Sequence, residues 1–394
     1  MAGVNETREA VVVGAGAAGL VTAAELGRRG VGDVLVLERG EGVGASWRSR
    51  YEGLRLNTIR QFSGLRGLRI RRSTGRYPSR EDFIAYIEEY ARRAGLDVRC
   101  GVTAERIERT ADRDWRMTTD GGDLIARYVV IAAGWDREPM MPGWPGSETF
   151  TGELIHSSDV RRPADYAGRD VLMVGAGNTG IDLAGLLIDA GAQVVVSMRT
   201  PPTIVPRDWH GIPTGPGAVP LHRLPPRLAD LIVAPAQRVM IRDLAPYGIP
   251  RPPAGMFTRF REEGVSPAVD DGFVAALRAG RTRVVGEIER FEGREVVLRD
   301  GERLTPAAVI CATGYRRGLE PMVGHLGVLD AAGAPLRPRG APEHPAAPRL
   351  YFVGYTYRIA RNIPLFSGQA RRVATAVARD RATGRAPARA PAAA

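Results

Sequence analysis

The chain has 394 residues, 44% of them apolar, which is long for one core and comfortable for two. Its formal net charge is +11, yet all 55 basic residues are Arg, interleaved with 44 acids, so a nucleic-acid partner is not expected and a lysine nucleophile or P-loop is excluded. Cys100 and Cys311 form no CxxC and the five histidines show no ligand spacing, so no redox dithiol and no metal site are expected, and no run of ~20 apolar residues is present to span a membrane.

In chain order, the apolar run 10–13 predicts a buried strand, followed by a glycine turn, a helix over 20–29 and a strand "VLVLE". Residues 79–95 predict an amphipathic helix with Ser79 as N-cap, Asp82 in the capping-box position and Gly95 at the end. "WRMTTDGG" with "YVVIAAG" reads as a hairpin into a buried strand, and the polar stretch 161–169 as a boundary. A second strand–glycine turn–helix–strand unit spans 171–199. Thirteen of the 29 prolines then fall between 201 and 260, an irregular excursion that shapes either the substrate pocket or a contact in a homodimer. "AAVICATGY" is a further buried strand, "RLYFVG" the last strand and "SGQARRVATAVARD" the last helix, before a low-complexity tail.

The chain therefore repeats itself. Each half has a glycine-rich βαβ unit and, later, a strand ending A-x-G, at 132–134 and 312–314. The expected fold class is α/β with two Rossmann-like dinucleotide-binding domains, the second inserted into the first. Residues 1–160 and 301–394 make the first, and 165–300 the second, with its Pro-rich excursion at 200–260. The N-terminus lacks a basic-then-apolar signal pattern, so the cytoplasm is the expected location and no membrane partner is expected.

"GAGAAG" (Gly14, Gly16, Gly19) and "GAGNTG" (Gly175, Gly177, Gly180) each follow an apolar strand and open a helix. The first Gly permits the tight turn, the second admits a pyrophosphate, and the third lets helix and strand pack closely, with the helix N-terminus facing the phosphates. Twenty-four residues after each first Gly the next strand ends, once at Glu38 and once at Arg199. A carboxylate suits a ribose with free hydroxyls, as in FAD, and would repel a 2′-phosphate. A guanidinium suits the 2′-phosphate of NADPH. Thr200 and Arg207 are further phosphate candidates.

Several segments extend this pattern: "GAGAAG", "VLVLERG", "GASW" (44–47), "FTGELIHSSDV" (150–160), "GAGNTG", "CATGY" (311–315), "GIPRPPAG" and "SGQARRVA". In these the chain resembles the flavin-containing monooxygenases, above all the compact bacterial members and the plant YUCCA type, over nearly its whole length. The family fingerprint F-x-G-x-x-x-H is met at Phe150, Gly152 and His156, while its final aromatic is Val160, and Val160-Arg161 also departs from the Baeyer–Villiger version. The resemblance implies that NADPH reduces FAD, that O₂ adds to give a flavin C4a-(hydro)peroxide, and that one oxygen passes to a small organic substrate. N- or S-oxidation, hydroxylation and oxidative decarboxylation are the reactions implied. Baeyer–Villiger oxidation of a ketone, or electron transfer to a protein or quinone acceptor, are the alternatives.

The resemblance places Asn57, or alternatively Gln61, beside flavin and nicotinamide. Arg39, Trp47 and Gly354 join Gly14, Gly16, Gly19 and Glu38 as expected contacts of the first cofactor. Asn178 and Thr179 join Gly175, Gly177, Gly180, Arg199 and Thr200 at the second. Thr313 and Gly314 line the link between cofactors, and the last helix, opening near Gln369, turns its N-terminus to the flavin. His156 is read as structural, tying down the connector.

Overall fold

A computed structural model describes residues 6–336, 342–360 and 362–383; the low-complexity tail from 384 lies outside the described residues. The chain opens with β1 (Glu6–Val13), α1 (Ala17–Arg28) and β2 (Val34–Glu38). After a long irregular segment come α2 (Arg80–Arg93), β3 (Asp97–Cys100), the hairpin strands β4 (Ala104–Arg109) and β5 (Trp115–Thr119), and β6 (Leu124–Ile131). The second half begins with β7 (Glu153–His156), β8 (Asp170–Val174), α3 (Asn178–Asp189) and β9 (Gln193–Ser197). Helices α4 (Pro226–Met240) and α5 (Met256–Glu262) lie in the excursion, followed by β10 (Thr282–Val285), β11 (Ala308–Cys311), β12 (Leu350–Phe352) and α6 (Asn362–Thr383).

Two parallel sheets result. The first runs β3-β2-β1-β6, with the hairpin strands β5 and β4 on the start of β6 and β12 parallel to its end. The second runs β10-β9-β8-β11-β7. The repeat read from the glycine turns thus extends to four strands, because β3-β2-β1-β6 and β10-β9-β8-β11 have the same order, while the fifth place is taken in the first sheet by the last strand, β12, and in the second by β7, which precedes β8 in the chain. The central runs are buried on both faces, as parallel strands under helices must be: residues 10–13 and 308–311 are closed to solvent.

Sheet membership shifts the expected limits. Strands β7 and β11 fall within 1–160 and 301–394, yet both pair in the second sheet: Ala308 lies opposite Val171 on one side and Glu153 on the other. A four-residue run buried on both sides reads alike in either sheet, and only its pairing partners decide. The two chain crossings between the sheets run side by side, Glu138–Pro139 antiparallel to Tyr315–Arg316.

Local signals behave as their chemistry dictates. Ser79 Oγ accepts from the Asp82 N–H and the Asp82 carboxylate accepts from the Ser79 N–H, a complete capping box, and Gly95 follows α2 at φ +59°. The last helix differs from expectation. It begins at Asn362, so Ser367-Gly368-Gln369 lies more than a turn inside it, and Pro364 is tolerated because it occupies the first turn. The excursion is closed at its base by parallel pairing of Ile204–Pro206 with Ala268–Asp270. Within it, the Asp230 carboxylate accepts from the N–H groups of Phe257 and Thr258 and from the Thr258 hydroxyl, holding α4 against α5. This leaves Leu228, Leu231, Ile232 and Val239 on the solvent side of α4.

Replacing Ser79 by Ala removes one half of the capping box. The expected loss is about 1 kcal/mol, measured as a shift in the denaturant midpoint without change in slope.

Candidate functional site

Both glycine turns are built from the same contacts. Gly14 N–H donates to the Leu37 carbonyl at 2.7 Å, and Gly175 N–H to the Ser197 carbonyl at 2.9 Å. A Cβ on Gly14 would stand 2.5 Å from the Ala132 carbonyl oxygen, and one on Gly175 2.6 Å from that of Ala312. A Cβ on Gly19 or Gly180 would collide with the carbonyl of its own turn, at 1.8 and 2.0 Å. At Gly16 and Gly177, by contrast, an added Cβ meets nothing within 4 Å. The first and third glycines are closed by protein, while the middle one opens to space in front of a helix N-terminus. That is the space and polarity a pyrophosphate needs, and the residues present fit two dinucleotides.

The strand ends differ in register as well as in charge: Glu38 is the last residue of β2, directly after Leu37, whereas β9 stops at Ser197, so Arg199 lies two residues past the strand expected to end on it and lines up with Arg39. Glu38 is buried: Oε2 accepts from Ala15 N–H at 2.9 Å, and Oε1 from Gly40 N–H at 3.0 Å. It therefore braces the first turn from within, and each oxygen retains a lone pair for a ligand hydroxyl. Arg199 is exposed, and no hydrogen bond or ion pair holds it among the described residues. Thr200 is exposed beside it. Arg207 is not at that surface. It is 4% exposed, with its guanidinium committed to Asp182 and Asp271, so it is not free for a 2′-phosphate.

Asn57 and Asn178 meet between the cradles. Asn57 Nδ2 donates to Asn178 Oδ1 at 3.2 Å, joining the irregular segment after β2 to the first residue of α3. Around this contact lies a buried polar cluster. The Tyr51 hydroxyl donates to Asp182 at 2.8 Å, and Arg207 reaches Asp182 at 3.3 Å. Burial pushes the Asp182 carboxyl up, opposed by the hydrogen bonds from Tyr51 and Arg207. Sequence reading missed Tyr51, Asp182 and Asp271. Asp182 carried a signal: an acid between Ile181 and Leu183 in a helix otherwise read as apolar.

The linkers are tied to each other by hydrogen bonds. The Thr313 hydroxyl donates to the Met140 carbonyl, and Met140 N–H donates to the Gly314 carbonyl. His156 is 2% exposed, and burial pushes its pKa down. Ser158 N–H donates to Nδ1, so the ring proton sits on Nε2 and is donated to the Gly314 carbonyl at 3.1 Å. Both nitrogens are thus used in holding the connector.

The other expected contacts scatter more widely. Gly354 N–H donates to the buried Gln369 Oε1 at 2.8 Å, bringing the interior of α6 against the loop after β12, and Gly354 lies close to Ala18 of α1. Trp47 packs edge-on against Phe83, 4.6 Å between centroids, so its ring serves the core under α2. Arg39 donates to the Arg137 carbonyl, Thr179 is half-buried in the first turn of α3, and Gln61 is exposed in the turn Arg60–Phe62. Cys311 is buried, its thiol pushed up to about 12, and no cluster of metal-ligating side chains occurs among the described residues. No helix among them is long and apolar enough to cross a membrane.

Two glycine cradles of the same build, followed by opposite charges and joined by short linkers, define a two-dinucleotide oxidoreductase. Residues 11–207 match the family described as pyridine nucleotide-disulphide oxidoreductase. The chain is 33% identical over 353 residues to the indole-3-pyruvate monooxygenase YUCCA1 of Oryza sativa subsp. japonica, covering 89% of this chain and 87% of that one. Among solved structures it is similar to the flavin-containing monooxygenase from Stenotrophomonas maltophilia (TM-score 0.72, 22% identity, 94% and 98% of the two chains). It is also similar to an oxidized steroid monooxygenase bound to NADP (TM-score 0.76, 20% identity, 96% and 87%). The chain belongs to the flavin monooxygenase family. It is an NADPH-dependent oxidoreductase whose cofactors are FAD and NADPH.

The glycine contacts separate folding from binding. Gly19→Ala is expected to lower Tm by about 5 °C or more, since its Cβ meets backbone. Gly16→Ala is expected to fold and to purify with less bound flavin, read from the visible spectrum.

Proposed function

We propose that FAD occupies the Gly14 cradle and NADPH the Gly175 cradle, and that the chain transfers one oxygen atom of O₂ to a small aryl-substituted 2-oxo acid. The observation that carries the cofactor reading is the difference in charge just past the two turns: a buried carboxylate, Glu38, directly follows Leu37 at the first, whereas an exposed guanidinium, Arg199, stands two residues beyond Ser197 at the second. The similarity to the rice enzyme over 89% of this chain supports the substrate class. The net reaction is 2-oxo acid + O₂ + NADPH + H⁺ giving the shortened carboxylate, CO₂, NADP⁺ and H₂O. One C–C bond breaks, and NADPH supplies the two electrons that reduce the second oxygen atom to water.

When bound, FAD supplies the oxygen-activating chemistry and NADPH the hydride. The chain's own residues bind and orient. The N-termini of α1 and α3 face the pyrophosphates through Gly16 and Gly177. Glu38 accepts from the adenosine ribose of the first cofactor, and Arg199 pairs with the 2′-phosphate of the second. Asn57 and Asn178 hold the ends of the two cradles together, and His156, Thr313 and Met140 keep the linkers at a set distance. An electron-transfer role toward a disulfide lacks support, since the two cysteines are far apart in sequence and Cys311 is buried.

Two measurements test this reading. Arg199→Ala is expected to raise the KM for NADPH roughly ten- to hundred-fold, from ~1.5–3 kcal/mol of charge-assisted contact, with little change for NADH. Equal losses with both cofactors would remove Arg199 from the 2′-phosphate. With indole-3-pyruvate, O₂ uptake, NADPH consumption and CO₂ release are expected to rise together in equal amounts. O₂ uptake that ends only in hydrogen peroxide with 2-oxo acids, but in product with amines, sulfides or ketones, would overturn the substrate class.

A further inference from the structure

Arg207 is a buried charge at the junction that neither cradle requires. It follows the strand Ile204–Pro206 at the base of the excursion and lies over the Tyr77 ring, 5.5 Å from its centroid. The Tyr77 hydroxyl donates to the Arg207 carbonyl at 3.1 Å. Asp271 takes Nη1, while Nη2 is shared between Asp182 Oδ1 at 3.3 Å and Asn57 Oδ1 at 3.4 Å. A buried ion pair is a weak source of net stability. What this one supplies is direction.

A guanidinium has donors and no acceptor, so the atom of the Asn57 carboxamide that faces it must be the oxygen. The other neighbour is determined just as firmly. Val269 N–H donates to Asn178 Oδ1 at 3.0 Å, and Asn178 Nδ2 donates to the Pro267 carbonyl at 3.0 Å. Asn178 therefore presents an acceptor, and Asn57 meets it with Nδ2. Backbone on one side and Arg207 on the other leave the Asn57 amide a single orientation. One of its Nδ2 hydrogens has no partner among the described residues.

We propose that Arg207 is a positioning residue. It holds the N–H edge of Asn57 toward the Gly177 turn, so that the open Nδ2 hydrogen is donated to the dinucleotide bound there. Asp182 and Asp271 hold Arg207, and Tyr51 holds Asp182. This inference rests on the reading of the second cradle as the NADP site.

The test is a double-mutant cycle read by calorimetric titration of NADP⁺ into the FAD-loaded protein, with flavin content and Tm followed in parallel. Asn57→Ala and Arg207→Lys are each expected to weaken NADP⁺ about tenfold, the worth of one hydrogen bond. Lys keeps a charge opposite Asp182 and Asp271 but lacks the fork that reaches Asn57. The double variant is expected to bind no more weakly than the weaker single variant, because both remove the same contact. A merely structural role for Arg207 would lower Tm and leave the two losses multiplicative. If Arg207→Lys does not fold, Asp271→Asn loosens the same guanidinium from its exposed side and takes its place in the cycle. Should Asn57→Ala weaken NADP⁺ while the Arg207 variant does not, or should the losses multiply, the positioning role is overturned and the cofactor assignment stands. Unchanged affinity in Asn57→Ala would overturn the junction reading and the inference together.

Discussion

Everything in this molecule depends on how closely backbone can approach backbone at two glycine turns. Gly14 sits against the carbonyl of Ala132, and Gly175 against that of Ala312. Any side chain there would push the turn off the neighbouring strand and tilt the helix that follows. With none, the helix N-terminus is seated at the end of the sheet, and the middle glycine opens it to a ligand. The A-x-G ends of β6 and β11 are part of the same device, since their alanine carbonyls are the surface on which the turns rest.

Given two copies of one device, chemistry needs them to differ. The difference is concentrated at the strand ends. Glu38 is drawn inward and hydrogen-bonded to backbone on both oxygens, so it shapes its turn as well as offering itself to a ligand. Arg199 makes no such commitment and stands in solvent. The first turn is braced by the group that would recognise its cofactor, whereas the second keeps its recognition group free. Desolvation explains the asymmetry: a carboxylate tolerates burial when backbone N–H groups satisfy it, whereas an arginine with no acceptor around it stays in water.

The units are joined by more than their linkers. Tyr51 and Leu54 belong in sequence to the first unit but pack into the core of the second, and Gly53 lies against Leu186 of α3. This strap brings Asn57 to Asn178 and closes the cluster of Tyr51, Asp182 and Arg207. Two cofactors that must meet end to end thus have their cradles held by apolar packing and by a buried polar network at the same point.

Read alone, the sequence determined the repeat, the glycine turns and the capping box of α2, and it showed an acid and an arginine beyond the two turns. Each shows itself as residue types at a fixed spacing within one short segment, even where, as at Gly14 and Ala132, the contact that demands the glycine is made by a distant strand. The tertiary structure alone decided that β7 and β11 belong to the second sheet, that α6 starts at Asn362, that Arg207 is buried and that Glu38 braces its own turn. Strand partners, and the pairing of a buried charge, are chosen among residues far apart in the chain, so no local pattern encodes them. Asp182 lay between the two: an acid amid apolar neighbours was visible, but the residues that satisfy it, Tyr51 and Arg207, come together only in the fold.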